Sequence, residues 1–327
     1  MSATASSETR LRRGRLTPVV FLARYGFYIA LLALILIFTA LSPNFLTVPN
    51  FLNILQQTST IGIMAIGQTL VLLAGGIDIS VGSALGLGGM VAAMVMRDPG
   101  ASPLLATAAG VASGLVVGLV NGLVITRLGV DAFITTLATL NIGRGLVYIL
   151  SNQYNVNVPD GSDFFLLGRG HIGPAPVSVV IFVAIFVIFY IIERRTVFGR
   201  SIHAIGGNPA ASVLSGLNVR RVRLATYAIS GACAALAGVI IVSQVGLAVP
   251  YLGSGYELDT IAAAVVGGVA LTGGAGSVLV GALGSIFIGV LLNGMALINV
   301  PAIWQMVVQG IVIICAVALY GAARARL

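Results

Sequence analysis

The sequence predicts an all-α protein that crosses a membrane about ten times, and two observations lead to this fold class. Hydrophobic residues make up 58% of the 327 residues, charged residues only 8%, and the mean hydropathy is +1.08. A soluble domain usually carries about 25% charged residues, so water cannot be the main solvent of this chain. Several apolar runs also reach the roughly 20 residues that a transmembrane helix needs, and they are continuous, whereas barrel strands alternate.

The apolar runs divide the chain into an ordered series of predicted helices. Ten runs can be separated by hydropathy: 21–41, 52–74, 77–96, 103–126, 132–150, 175–192, 222–243, 257–271, 277–294 and 302–321. The third and the eighth are the least regular, because each begins with acidic or glycine-rich residues. We expect one transmembrane domain over 21–321, between an N-terminal tail, 1–20, and a C-terminal tail, 322–327.

All 17 basic residues are arginines, and their positions predict the orientation of the chain. Cytoplasmic loops of membrane proteins carry an excess of basic residues. Arginines cluster before the first apolar run and in the loop 193–221, so both regions are expected in the cytoplasm. The loop 151–174 carries only Arg169 and is expected on the periplasmic side. Ten crossings place both termini in the cytoplasm, an arrangement that an odd number of helices would break.

Missing and isolated residue types exclude several functions. Because the chain has no lysine, it cannot contain a Walker A loop, so any ATP that drives the protein must bind another polypeptide. The net charge of +8 comes from arginines at the ends of apolar runs, which favours topology signals over nucleic-acid binding. Cys233 and Cys315 lie in apolar runs, and His171 and His203 are far apart, so we expect neither a metal site nor a cofactor on this chain.

The two halves of the chain resemble each other weakly. Asp78 is followed eight residues later by Gly86, and Asp259 eight residues later by Gly267. Downstream, 118–133 and 289–303 both contain Asn-Gly in an apolar run and then Val-x-Ala. The copies would run in opposite directions across the membrane, which predicts a 5+5 inverted repeat of the kind that transporters use. Chance similarity between two glycine-rich helices is the alternative.

Small residues at every fourth position form two ladders, each on one helix face, where helix backbones can approach closely. The ladders are Gly110, Gly114, Gly118 and Gly122, and Ser277, Gly281, Ser285 and Gly289. Packing within one subunit is the simpler interpretation, and a seam between two subunits is the alternative.

Polar residues within the apolar runs are the candidates for function. A charged side chain at a helix centre costs roughly 2.5–3.5 kcal/mol on insertion scales, so Asp78 should avoid lipid. Gly75 and Gly76 predict a break before the third helix, where Asp78 or Ser80 would cap the helix; contact with a solute or proton coupling are alternatives. Glu257 and Asp259 at the start of the eighth helix would cap it or form a gate at the outer mouth. The candidates for a translocation path or gate are Asp78, Ser80, Gln68, Asn121, Asn141, Glu257, Asp259 and Asn293, with plain interhelical hydrogen bonds as the alternative.

The cytoplasmic loop contains signals for a short helix over about 209–215. Asn208 can cap its start, Pro209 suits its first turn, and Gly216 suits its end. Such a mildly apolar helix flanked by arginines can dock in a groove of a partner protein, although a plain loop helix would look the same.

Three stretches together resemble a known family. They are LAGGIDISVGS (73–83), FGRSIHAIGGNPAASVLSGLNVRRVRLATYAISG (198–231), and YELDTIAAAVVGG with GGAGS (within 256–277). In this combination and order they resemble the permease subunits of bacterial ABC importers for simple sugars, the ribose type, and the resemblance covers nearly the whole chain.

This resemblance implies a non-enzymatic transport subunit in the bacterial inner membrane, with a ten-helix fold similar to the vitamin B12 importer permease. A second permease subunit, identical or different, would complete the path, and a periplasmic or lipid-anchored binding protein would deliver a pentose, hexose or related polyol. A cytoplasmic ATP-binding subunit, which holds ATP and Mg, would dock at 208–218. The coupling residues that it implies are Asn208, Pro209, Ala210, Ala211, Ser212, Leu214, Gly216 and Arg220. A proton-coupled secondary transporter that uses Asp78 or Asp259 is the alternative function.

Overall fold

The computed structural model describes residues 18–98 and 100–324, with side chains over 26–98 and 100–318. Most of the two predicted cytoplasmic tails, 1–17 and 325–327, therefore lies outside the described residues. The architecture is that of a helical polytopic membrane protein.

The described residues form thirteen α-helices and four two-residue strands. The helices are α1 (Pro18–Leu41), α2 (Val48–Leu73), α3 (Val81–Met96), α4 (Pro103–Leu123), α5 (Ala132–Ser151), α6 (Leu166–Arg169), α7 (Val177–Arg195), α8 (Val197–Gly207), α9 (Pro209–Leu214), α10 (Val219–Val245), α11 (Tyr256–Gly267), α12 (Val278–Leu297) and α13 (Ala302–Arg324). A π-helical turn, Val124–Leu128, extends α4, and a 3-10 turn, Asp163–Phe165, precedes α6. The strands are β1 (Val156–Asn157), β2 (His171–Ile172), β3 (Ala175–Pro176) and β4 (Leu247–Ala248).

Each of the ten predicted apolar runs lies on one helix, namely α1–α5, α7 and α10–α13. The two irregular runs give shorter helices than expected, because α3 begins at Val81 rather than 77 and α11 ends at Gly267 rather than 271. Five of the described helices are long and apolar enough to cross a membrane: α4 with its π turn, α5, α7, α10 and α12. The number of ten crossings stays a prediction.

The helices pack in a pattern that is the same in both halves of the chain. In the first half α3 packs on α4 and α5, and in the second half α11 packs on α12 and α13. Between the halves, α10 packs on α3 and α4, while α2 packs on α11 and α12. Exchanging α2–α5 with α10–α13 therefore leaves the set of principal pairings unchanged.

The two ladders of small residues lie in the seams between the halves. A Cβ added to Gly114 would meet the carbonyl of Gly231, and one added to Gly118 would meet the carbonyl of Tyr227, both on α10. On α12, Gly281 and Gly289 face threonine side chains of α2. The prediction that the ladders pack within one subunit is confirmed for these seams, and it explains why only small residues fit.

Two helices, α3 and α11, are shorter than the hydrocarbon layer is thick, so non-helical residues beside them would have to complete each crossing, and we call them the half-helices. At 1.5 Å per residue they are about 24 Å and about 18 Å long, against roughly 30 Å of hydrocarbon. The predicted break before α3 is confirmed, since Gly75 has φ +73° and 74–80 is not helical. A Cβ on Gly82 would meet the Glu257 carboxylate, so the half-helices meet at their N-terminal ends.

The predicted outer loop holds the segment before α11 in place. Strand β1 of this loop pairs antiparallel with β4, which directly follows α10. Arg169 donates from Nε to the carbonyl of Gln244 at 2.7 Å and from Nη2 to that of Val245 at 3.0 Å. These bonds satisfy carbonyls at the end of α10 that have no partner within the helix.

Candidate translocation and coupling sites

The predicted docking helix is present as α9. The Asn208 side chain accepts a hydrogen bond from the Ala211 amide at 3.0 Å, which caps the helix. Pro209 is its first residue, and Gly216 has φ +80°, a conformation that glycine adopts without strain. The prediction of a short helix with this cap, this first residue and this stop is confirmed.

The docking helix presents an apolar surface. Leu214 is 90% exposed and Val213 is 60% exposed, while Ser212 is buried and donates to the Asn208 carbonyl at 2.9 Å. The other predicted coupling residues are exposed: Asn208, Pro209, Ala210, Ala211, Gly216 and Arg220. A leucine so exposed beside a cationic flank suits the groove of a partner protein.

Helix α8, which the sequence analysis missed, directly precedes the docking helix, and one histidine ties it to α7 and to the loop before α12. His203 Nε2 lies 3.1 Å from Glu193 Oε1, and His203 Nδ1 lies 3.1 Å from the Gly274 carbonyl oxygen. Glu193 is buried, and its Oε2 accepts from the Val278 amide at 2.8 Å at the start of α12. The hydrogen bond to Glu193 raises the pKa of His203 above its ordinary value, although partial burial opposes this shift.

Asp78 is the centre of a buried polar network that joins three helices. Its Oδ1 accepts from the Ser80 amide at 3.0 Å and the Ser80 hydroxyl at 2.6 Å, and its Oδ2 accepts from Ser230 on α10 at 2.9 Å. Asn121 on α4 donates to the Ser80 hydroxyl at 2.8 Å. Ser80 occupies the N-cap position of α3 without a side-chain capping bond, so the prediction that Ser80 caps this helix is wrong. Asp78 does accept a free backbone N–H at the start of α3, that of Ser80, and its carboxylate satisfies three buried donors in all.

A second polar cluster lies where the half-helices meet. Arg144 on α5 donates to Glu257 Oε1 at 3.0 Å and to the Ser254 hydroxyl. The Arg144 side chain is 32% exposed and that of Glu257 13% exposed. Glu257 and Asp259 both lie in the first turn of α11, where negative charge is favourable. Of the two roles predicted for Glu257, capping is not observed, because its carboxylate pairs with Arg144.

Arg144 lies at a depth where lipid contact would be costly. It is about 18 Å from the first residue of α5 at 1.5 Å per residue, within a helix long enough to span the bilayer. A partly exposed guanidinium at that depth needs water or another protein beside it. Asn141, about one turn earlier on α5, is exposed, so two polar side chains are neighbours on this face, where Leu137 and Tyr148 are also exposed.

The structure separates the predicted path residues into two groups. Asn141 is exposed, and Glu257 and Asp259 are partly exposed, with Glu257 paired to Arg144. The others are buried in the interior between helices: Asp78, Ser80, Gln68, Asn121 and Asn293. Whether any of them contacts a solute stays a prediction. Ser230, Ser254, Glu193 and His203 were not among the predicted site residues, and they carry no local sequence signal, because their partners lie far along the chain.

Comparison with known proteins gives one consistent answer. The family model described as the branched-chain amino acid transport system permease component matches residues 50–317. The chain is 43% identical to the ribose import permease protein RbsC of Escherichia coli (strain K12) over 292 residues, which cover 88% of this chain and 91% of that protein. It is 40% identical to RbsC of Bacillus subtilis (strain 168), covering 90% of this chain and 92% of the relative.

A third relative has a different named sugar. The L-arabinose transport system permease protein AraH of Escherichia coli (strain K12) is 37% identical over 294 residues, which cover 90% of this chain and 89% of that protein. No solved structure matches the chain significantly. The chain therefore belongs to the family described as the permease component of the branched-chain amino acid transport system, together with ribose and arabinose ABC permeases.

Proposed function

We propose that this chain is the membrane-spanning permease subunit of an ABC importer for a simple sugar, a pentose, a hexose or a related small polyol. The observation that carries the proposal is the similarity to sugar permeases over about nine-tenths of both chains, at 37–43% identity. The permease supplies the passage and is not itself an enzyme.

The energy for transport comes from ATP hydrolysis by a separate ATP-binding subunit that docks at 208–218. The exposed Leu214 and Val213 on a capped helix suit such a partner, and the chain has no lysine for a nucleotide loop of its own. ATP and Mg²⁺ would be held by that subunit. A periplasmic or lipid-anchored binding protein would deliver the sugar to the outer face, which includes the loop 151–174.

The proposed topology is ten crossings with both termini in the cytoplasm, in a bacterial inner membrane. The exchange symmetry between α2–α5 and α10–α13 supports the 5+5 inverted repeat. A fold similar to the vitamin B12 importer permease is part of the proposal because the family resemblance implies it. Two permease subunits, identical or different, would enclose the path.

The path is proposed to run along the face of α5 that carries Asn141 and Arg144. Asn141 is exposed and Arg144 partly exposed there, and Ser254 and Glu257 contact Arg144 from the segment around α11. Since a partly exposed guanidinium at mid-depth is unfavourable against lipid, water or a second subunit must cover it. The buried network around Asp78 would hold the helices together rather than contact the sugar.

The experiment is sugar uptake into proteoliposomes that contain the chain with or without its cognate ATP-binding subunit and binding protein. We expect uptake only with the subunit and ATP. Leu214→Arg should abolish ATPase binding, whereas the matched exposed leucine on α6 tested as Leu166→Arg should leave it intact. Accumulation of sugar by the chain alone on a pH gradient would instead establish the proton-coupled alternative through Asp78 or Asp259.

A further inference from the structure

Helix α8 is placed to carry any movement of the docking helix into the membrane domain. Only Asn208 separates α8, which ends at Gly207, from α9, which begins at Pro209. The Asn208 side chain and carbonyl both bond to α9, so the connection is short and fixed. A displacement of α9 by a docked partner must therefore displace α8.

The C-terminal end of α8 packs against backbone atoms of two non-helical segments, 74–80 and 268–277, that separate helices. Gly206 lies against the Leu73 carbonyl and the Gly274 amide, and a Cβ at Gly273 would be 2.8 Å from the Gly75 Cα. The Gly274 amide also donates to the Leu73 carbonyl at 3.0 Å. One of these breaks precedes half-helix α3, and the other precedes α12. We call Gly75, Gly206, Gly273 and Gly274 the glycine junction.

One imidazole and one carboxylate tie this junction to α12. His203 reaches the Gly274 carbonyl on one side and Glu193 on the other, each at 3.1 Å. Glu193 then accepts from the first amide of α12, that of Val278, at 2.8 Å. The contacts form a continuous chain from α8 to the loop before α12 and to α12 itself.

We propose that His203 and Glu193 are positioning residues that transmit the movement of the docking helix to the start of α12 and to the break before α3. This inference rests on the proposed function, because the movement comes from the ATP-binding subunit. Their role is to keep ATP hydrolysis and sugar passage coupled. They touch neither nucleotide nor sugar.

The chemistry of the contacts makes this linkage sensitive to protonation. Both ring nitrogens of His203 face acceptors, a carbonyl and a carboxylate, so both contacts are hydrogen bonds only in the imidazolium form. A neutral ring keeps one of them. The break 268–277 contains no titratable side chain, and the break 74–80 contains one, the buried Asp78. The nearby charged groups are Glu193 and Arg194 on α7, Arg200 on α8, and Arg223 on α10, whose Nε donates to the Ala74 carbonyl at 3.3 Å.

The test measures sugar molecules transported per ATP hydrolysed by the assembled importer in proteoliposomes, between about pH 6 and about pH 9. We expect the wild-type ratio to fall about threefold or more as pH rises past the raised pKa of His203. His203→Gln should give a low ratio that does not change with pH, and Glu193→Gln should also give a low ratio, in both cases with the ATP-binding subunit still bound. His171→Gln, in the exposed strand β2, is the matched control and should keep the wild-type profile.

The outcomes separate this inference from the proposed function. If the wild-type importer shows no ATP-dependent uptake, the proposed function fails. If uptake is ATP-dependent but the wild-type ratio is constant with pH, or His203→Gln keeps the wild-type ratio and profile, the inference is overturned. Even if a variant fails to assemble, the pH dependence of the sugar-to-ATP ratio of the wild-type importer still tests the inference.

Discussion

The seam between α4 and α10 offers a test in which a single methyl group is the perturbation. Gly118 on α4 faces the backbone of α10, where a Cβ would meet the Tyr227 carbonyl and lie 2.8 Å from its carbonyl carbon. It would also lie 2.9 Å from the Ala228 Cα. Because these are backbone atoms, no side-chain rotation can relieve the contact. We expect Gly118→Ala to force the two helices apart and to destabilise the protein.

The magnitude follows from a comparison with Gly145 on α5, where a Cβ would meet nothing within 4 Å. Alanine is favoured over glycine inside a helix by about 0.5–1 kcal/mol, and this gain applies at both positions. Only Gly118→Ala adds the cost of overpacking, about 1–3 kcal/mol. The difference in unfolding free energy between the two variants should therefore be about 1–3 kcal/mol, with Gly145→Ala as the more stable protein.

Thermal unfolding of the two variants in the same detergent, followed by size-exclusion chromatography, measures this difference. Gly118→Ala should unfold a few degrees below wild type and Gly145→Ala at or slightly above it. Equal midpoints for the two variants would show that α4 and α10 do not approach as closely as described.

Three further predictions concern the polar clusters. Asp78→Ala leaves three buried donors without an acceptor, at about 1–3 kcal/mol each, so its thermal midpoint should fall well below that of Asp78→Asn, which keeps an acceptor oxygen; equal midpoints would contradict this. Arg144→Gln leaves Glu257 unpaired, so thermal midpoints of the single variants and of the double variant with Glu257→Gln should be non-additive, with the double variant recovering part of the loss. The contacts of protonated His203 stabilise the fold fully below about pH 6.5, and this stabilisation is lost as pH rises through the raised folded-state pKa of His203. The thermal midpoint of the wild type, but not that of His203→Gln, should therefore fall over this pH range. Parallel plots of thermal midpoint against pH for the two proteins would refute the prediction.

Local signals explain which parts of the molecule the sequence predicts. Hydropathy locates all ten apolar helices, because a helix in lipid must be apolar along its length. The docking helix is equally predictable, since Asn208, Pro209 and Gly216 are start and stop residues acting within a few positions. Helix α8 escapes prediction because its sequence, VFGRSIHAIGG, mixes apolar, polar and glycine residues, although Thr196 caps its start.

Distant partners explain what the sequence leaves open. Asp78 meets Ser230 across 152 positions, and Glu193 meets Val278 across 85. A carboxylate before a helix suggests a cap when only neighbours are considered, and this one accepts the Ser80 amide but also bonds across helices to Ser230. The Arg144–Glu257 pair spans 113 positions. In the sequence Arg144 and Glu257 are both charged residues within apolar runs, but no local signal shows that they pair.

The seams between the halves have a consequence for how the chain is made. Ribosomes deliver the N-terminal part first, so α4 enters the bilayer about a hundred residues before α10 exists to cover its glycine face. Until α10 is synthesised, the glycine face of α4 must contact lipid or the insertion machinery. A fragment that stops after α7 would leave both α2 and α4 without their main neighbours, and the gene could be divided there only if both pieces were synthesised together.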